Sequence, residues 1–223
     1  MEHLASPSND NVFTFIPNLI GYARIVLALL SFVCMPYNCV LTGVFYFVSA
    51  FLDAFDGYAA RIYNQSTRFG AMLDQLTDRC STLALMMCLC RLYPQYLLFW
   101  QLMAVLDIAS HWLHLHAHDL TASTSHKQVT SATHPILALY YTSRTFLFCM
   151  CAANEAFYGF VYLSYFTSGP ALPVLHVGLF PLGALLMLPL SLAKSAISCV
   201  HLVQAAKTVA EHDMARRRLQ KRS

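Results

Sequence analysis

From Ile25 to Leu52 the chain carries no charged side chain. That run is longer than the roughly 20 apolar residues needed to cross a bilayer once. Pro36, Tyr37 and Asn38 interrupt it. Turn-forming residues between two apolar segments read as a reversal, so the run is two membrane-spanning helices joined by a tight connection. Composition agrees. The 223 residues are 57% hydrophobic and 11% charged, against about 25% charged in soluble domains. A chain this short cannot bury such an apolar excess inside a water-facing globule. The apolar stretches are also continuous, whereas barrel strands alternate over roughly 10 residues.

The expected fold class is therefore an all-α integral membrane protein, a six-transmembrane-helix bundle forming one domain over residues 1–223. The spans are predicted at about 16–35, 40–62, 70–91, 96–118, 136–166 and 176–206. The polar stretch from Asn64 to Arg68 ends the second, Tyr93 and Pro94 close the third, and Gly169, Pro170 and Pro173 mark a turn before the last. Pro181 and Pro189 are expected to bend that last helix. Residues 1–11 hold Glu2 and Asp10 but no Lys or Arg. A cleavable signal peptide begins with a basic region, so the first apolar segment is expected to remain as a span.

Charge orients the bundle. From Lys207 to Ser223 there are six basic residues against Glu211 and Asp213, so this tail is more positive than the +3 of the whole chain. Basic segments beside spans stay cytoplasmic. Both termini are then cytoplasmic, as are the loop bearing Arg68 and the segment 119–144 with Lys127 and Arg144. Arg91 alone sits on the opposite side. The tail lacks aromatic residues on which bases would stack, so nucleic acid is not an expected partner. Most of the eight cysteines lie in apolar runs and form no CxxC pair, so they read as small hydrophobes rather than zinc ligands. Tyr96 and Trp100, near a span end, suit an interfacial belt.

Spans two and three hold what apolar helices exclude. Asp53 and Asp56 are three apart, and Asp74 and Asp78 four apart, so each pair shares a helix face. A carboxylate at a membrane helix centre costs about 2.5–3.5 kcal/mol on insertion scales. The short connection at 62–69 makes the two helices antiparallel neighbours, and both pairs then converge near the cytoplasmic end. An all-oxygen cluster of four anions suits two divalent ions, Mg²⁺ or Mn²⁺ rather than zinc, and paired metals clamp phosphates during displacement. Arg61 offers a fork of donors for a phosphate, and Thr67 a hydroxyl at the helix junction. The alternative is a purely structural set of salt bridges in which Arg61, Arg68 and Arg79 neutralise the acids.

These residues fill the pattern DxxDGxxAR, eight residues, then GxxxDxxxD, through Asp53, Asp56, Gly57, Ala60, Arg61, Gly70, Asp74 and Asp78. The chain thereby resembles the CDP-alcohol phosphotransferase family. PNLIGYAR from Pro17 to Arg24 resembles the amphipathic lead-in of that family. FLDAFDG, TRFGAMLDQLTDRCST, DIASHWLHLH, the segment from Ser125 to Arg144 and LAKSAIS resemble its eukaryotic phosphatidylinositol synthase branch. The resemblance implies a homodimer in the endoplasmic reticulum membrane with a polar, cytoplasm-facing active-site cavity. It implies transfer of a phosphatidyl group from CDP-diacylglycerol to myo-inositol, with CMP released. In that reaction Asp53, Asp56, Asp74 and Asp78 hold the metals, Asp78 is the general base, and Gly57, Arg61 and Thr67 contact the CDP part.

The pattern does not select the acceptor alcohol. Asp107, Ser110, His111 and His114 lie at helical spacing on span four, and with Arg144, Lys127 and Tyr140 they form the candidate inositol pocket. The competing reading is that Asp107 and His111 pair only with each other. Among His111, His114, His116 and His118 only the pairs 111/114 and 114/118 have helical spacing for a zinc site, and no cysteine joins them. Two rival functions remain open. One is a relative acting on glycerol phosphate, choline, ethanolamine or serine. The other is a cation transporter, although the acids are confined to one hairpin with no counterpart in the second half.

Overall fold

A computed structural model describes residues 11–123, 144–171 and 176–221. Its elements are α1 (Ile16–Cys34), α2 (Cys39–Ile62), α3 (Arg68–Leu92), α4 (Leu97–Ser123), α5 (Arg144–Phe166) and α6 (Leu179–Gln220). Short 3₁₀ turns at Val12–Thr14 and Pro94–Tyr96 precede α1 and α4. Lys127 and Tyr140 lie outside the described residues, as does the first part of the predicted fifth span.

Local chemistry sets the boundaries. Pro17 occupies the first turn of α1, where a missing N–H costs nothing. The Ile16 N–H there donates to Gln65 Oε1 at 3.0 Å, so the loop after α2 caps α1. The reversal at 36–38 falls where expected. Asn38 restarts the chain by accepting hydrogen bonds from the Val40 and Leu41 N–H groups at 3.1 and 3.0 Å. After α2 the chain turns through Asn64 at φ 52°, a left-handed conformation that asparagine tolerates. Thr67 Oγ1 then accepts from the Gly70 N–H at 3.0 Å and caps α3.

The chain divides into two compact units, residues 1–84 and 85–223, the boundary falling within α3. In the first, Ser31 Oγ donates to the Thr42 carbonyl at 3.2 Å and Ser49 Oγ to that of Arg24 at 3.0 Å. The two pairs run in opposite order, so α1 and α2 are antiparallel. Asn18 abuts Gly70, Gly21 abuts Leu73 and Arg24 meets Asp74. The pairs advance in the same order along both helices, so α1 and α3 are parallel.

In the second unit the same reasoning places α5 antiparallel to α6, through Asn154 with Ser191 and Phe160 with Phe180. It places α4 parallel to α6, through Asp107 with Lys194 and His114 with His201. Trp100 is 3% exposed and packs on Phe157 and Tyr158, so it belongs to this core and not to an interfacial belt. None of the cysteines is in a disulfide among the described residues.

Among the described residues, five segments, α1, α2, α4 with its leading turn, α5 and α6, are long and apolar enough to cross a membrane. Such a set of helices makes the chain a multi-pass membrane protein. The 25-residue α3 is not among the five. Its length would reach across the roughly 30 Å hydrocarbon layer, but Arg68, Asp74, Asp78, Arg79 and Arg91 make it too polar to count as a span by composition. The last helix runs on beyond the expected end of the span at 206. It continues as 42 residues to Gln220, with Pro181 in its first turns and Pro189 inside it.

Candidate active site

Asp53 and Asp56 lie near the C-terminal end of α2, and Asp74 and Asp78 on α3 beyond its Thr67 cap. The fold brings all four together. Carboxylate oxygens of Asp53, Asp56 and Asp74 lie within 4.8 Å of one another, the one grouping of three potential metal ligands among the described residues. Asp56 is the most enclosed, with 11% of its side chain exposed, while Asp53, Asp74 and Asp78 are 43%, 44% and 36% exposed. The cluster is therefore anchored inside the helix packing and open on one side.

Its principal partner is a residue the sequence reading used only as part of the lead-in phrase. The Arg24 guanidinium, 1% exposed, lies at the centre. Its Nη1 is 2.8 Å from Asp53 Oδ1, 2.5 Å from Asp56 Oδ2 and 2.7 Å from Asp74 Oδ1. Its Nη2 is 2.5 Å from Asp78 Oδ1. The signal was present, because an arginine inside an apolar helix demands a buried partner. The arginines first considered as counter-charges play lesser parts. Arg79 Nη2 reaches Asp78 Oδ2 only at 3.7 Å. Arg61 is exposed, and its Nη1 lies 3.6 Å from where a Cβ would stand on Gly57, one turn earlier.

The donor set fits a divalent cation. It is all oxygen, closely grouped and partly exposed, and its four carboxylates outnumber the Arg24 and Arg79 guanidiniums beside them. Gly70 shows how closely α1 approaches α3. A Cβ there would stand 2.8 Å from Asn18 Oδ1 and 3.2 Å from Thr67 Oγ1. Asn18 cannot swing away, because it is 1% exposed and donates through Nδ2 to the Val12 carbonyl at 2.6 Å.

In the second unit Asp107 and Ser110 are buried, 5% and 1% exposed. Asp107 Oδ1 accepts from Lys194 Nζ at 2.6 Å. Its carboxylate is 3.5 Å from His111 Nδ1, which makes a closer contact of 2.7 Å with the Asp107 carbonyl. The expected pairing of Asp107 with His111 is thus secondary to a pairing with α6. His114 stacks on His201 with ring centroids 5.6 Å apart, and His116 and His118 are exposed. Arg144 begins α5.

The sequence model of the CDP-alcohol phosphatidyltransferases matches residues 14–169, the stretch that holds Arg24 and all four carboxylates. The chain is 52% identical over 209 residues to the human CDP-diacylglycerol–inositol 3-phosphatidyltransferase, covering 94% of this chain and 97% of that protein. It is 46% identical to the Drosophila melanogaster protein of that name, over 94% of this chain and 91% of the other. The Saccharomyces cerevisiae counterpart is 46% identical over 159 residues, 71% of this chain and 72% of its own. No solved structure matches the chain. With 14–169 matched and the motif carboxylates gathered at one point, the chain belongs to the CDP-alcohol phosphatidyltransferase family.

Proposed function

We propose that this protein transfers the phosphatidyl group of CDP-diacylglycerol to myo-inositol, giving phosphatidylinositol and CMP. The observation that carries the reading is the convergence of Asp53, Asp56, Asp74 and Asp78 on one point. It occurs in a chain about half identical, along nearly all its length, to a human protein named for that reaction.

In this reading Asp53, Asp56, Asp74 and Asp78 hold two divalent ions, Mg²⁺ or Mn²⁺. When bound, the ions supply charge neutralisation for the substrate phosphates and the departing CMP. Asp78 stands at the far guanidinium nitrogen from the other three, with 36% of its side chain exposed. It takes the proton of an inositol hydroxyl as that oxygen bonds to the β-phosphorus. The bond from that phosphorus to the bridging oxygen breaks, and CMP leaves with the electron pair. Arg61, lying over Gly57, and Thr67, at the cap of α3, bind the CDP moiety. Much of the acceleration is positioning and electrostatics.

Inositol recognition falls to the polar face of α4 with Arg144. Asp107 and Ser110 are enclosed, so their part is to orient His111, whose Nδ1 is engaged by the Asp107 carbonyl. In the membrane α3 is the sixth span, its acids neutralised within the bundle. In this reading both termini and a polar site cavity face the cytoplasmic side of the endoplasmic reticulum, which the basic C-terminal end supports. There acyl chains remain in lipid while inositol arrives from water. The working unit is a homodimer.

The test is incorporation of labelled alcohols into lipid by membranes containing this chain, supplied with CDP-diacylglycerol and Mg²⁺ or Mn²⁺. Labelled inositol is expected in phosphatidylinositol. Incorporation of glycerol phosphate or serine instead would replace the acceptor. Incorporation of no alcohol by folded protein would remove the enzymatic reading.

A further inference from the structure

Arg24 has no part in the reaction described above, yet it is the most enclosed charge at the site. Its guanidinium is 1% exposed and sits in the middle of the apolar helix α1. Its carbonyl is held from α2 by Ser49 Oγ at 3.0 Å, which fixes the level at which the side chain enters the cluster. One guanidinium nitrogen carries two N–H groups, but three carboxylate oxygens lie within 2.8 Å of Nη1. The group therefore acts less as a hydrogen-bond fork with one partner than as a central ion among several. It draws together carboxylates from two helices, Asp53 and Asp56 on α2, Asp74 and Asp78 on α3. Without it, four like charges at this range would drive α2 and α3 apart.

We propose that Arg24 is the resident counter-cation of the metal site. It keeps the four carboxylates assembled in the metal-free protein and weakens divalent-ion binding by occupying their oxygens. Resting on the metal reading given above, this makes Arg24 a positioning residue that tunes affinity rather than a catalytic residue. A lysine cannot fully replace it, because a single ammonium cannot present two separated nitrogens to Asp78 and to the other three acids.

The experiment compares full-length wild type, Arg24→Lys and Arg24→Gln in detergent. Thermal unfolding is followed in EDTA and across a Mn²⁺ titration, and bound Mn²⁺ is counted by electron paramagnetic resonance. In EDTA the midpoints should fall in the order wild type, Arg24→Lys, Arg24→Gln. Mn²⁺ should raise the midpoint of Arg24→Gln the most. Removal of a resident positive charge should tighten its Mn²⁺ Kd by about tenfold or more. Coincident midpoints in EDTA, or Arg24→Gln binding Mn²⁺ no tighter than wild type, would overturn the proposal while leaving the metal site standing. If no protein, wild type included, binds Mn²⁺, the metal reading fails and this one with it. Should Arg24→Gln not fold, Arg24→Lys decides. Mn²⁺ must then restore most of the stability that Arg24→Lys loses in EDTA, and failure to restore it overturns the idea.

Discussion

Lys194 Nζ lies 2.6 Å from Asp107 Oδ1, and both side chains are 6% exposed, so α4 and α6 are joined by an enclosed ion pair. Removing one partner of such a pair strands the other charge, at a cost of about 3–5 kcal/mol, whereas replacing both with apolar residues is often neutral. Lys194→Met and Asp107→Leu should each strongly destabilise the protein in detergent, and the double variant should recover most of the loss. Denaturant unfolding of the four proteins closes the cycle. Purely additive losses would mean that the two residues are not coupled.

Asp78→Asn keeps the size of the side chain and removes the base. We expect inositol incorporation to fall by about 10²–10⁴ in kcat with the thermal midpoint little changed. Asp78 is partly exposed, and Arg24 keeps Asp53, Asp56 and Asp74 as partners. Retention of near wild-type kcat would assign proton removal to another group.

Chelation should abolish turnover, and readdition of Mg²⁺ or Mn²⁺ should restore it. Among ligand variants, Asp56→Asn should raise the metal concentration needed for half activity at least as much as Asp53→Asn. Asp56 is the most enclosed of the four carboxylates and the least able to be replaced by water. Metal-activation curves for the two variants are the check. Full activity in EDTA would remove the ions from the reaction.

Gly70→Ala tests the closeness of α1 and α3. The added Cβ would meet Asn18 Oδ1 at 2.8 Å, and overpacking of this kind costs about 1–3 kcal/mol. Shortening the obstruction should relieve it, so Gly70→Ala combined with Asn18→Ala should be no less stable than Asn18→Ala alone. Thermal unfolding of these variants reads the outcome. Additivity of the two losses would place the clash elsewhere.

Much of this molecule is local, and local features were legible. The reversal at 36–38, the stop at Tyr93 and the pairing of acids on helix faces follow from turn chemistry and from the 3.6-residue period. What escaped the reading depends on register between distant helices. Arg24 finds Asp74 and Asp78 because α1 runs parallel to α3, and Lys194 finds Asp107 because α6 runs parallel to α4. Neither offset is written in a short motif. Trp100 looked interfacial by position, but Phe157 and Tyr158, far along the chain, enclose it. The continuation of α6 beyond 206 went unread for another reason. Apolarity ends near 206, but Ala, Glu, Met, Arg, Leu and Gln after it are strong helix formers, so the backbone had no cause to stop.

That extension changes what the basic tail can do. At 1.5 Å per residue, α6 is about 63 Å long, roughly twice the hydrocarbon thickness. Arg216, Arg217 and Arg218 follow Lys207 by nine to eleven residues, or about 14–16 Å of straight helix. They also point in three directions around the axis, since successive residues turn by about 100°. At physiological salt, charge is screened beyond about 8 Å. On the extended helix the arginine collar therefore stands more than one screening length beyond Lys207, well past the apolar stretch that ends near 206. The positive charge of the collar is spread around the helix axis rather than gathered on one face, so it presents no single basic face to an acidic surface.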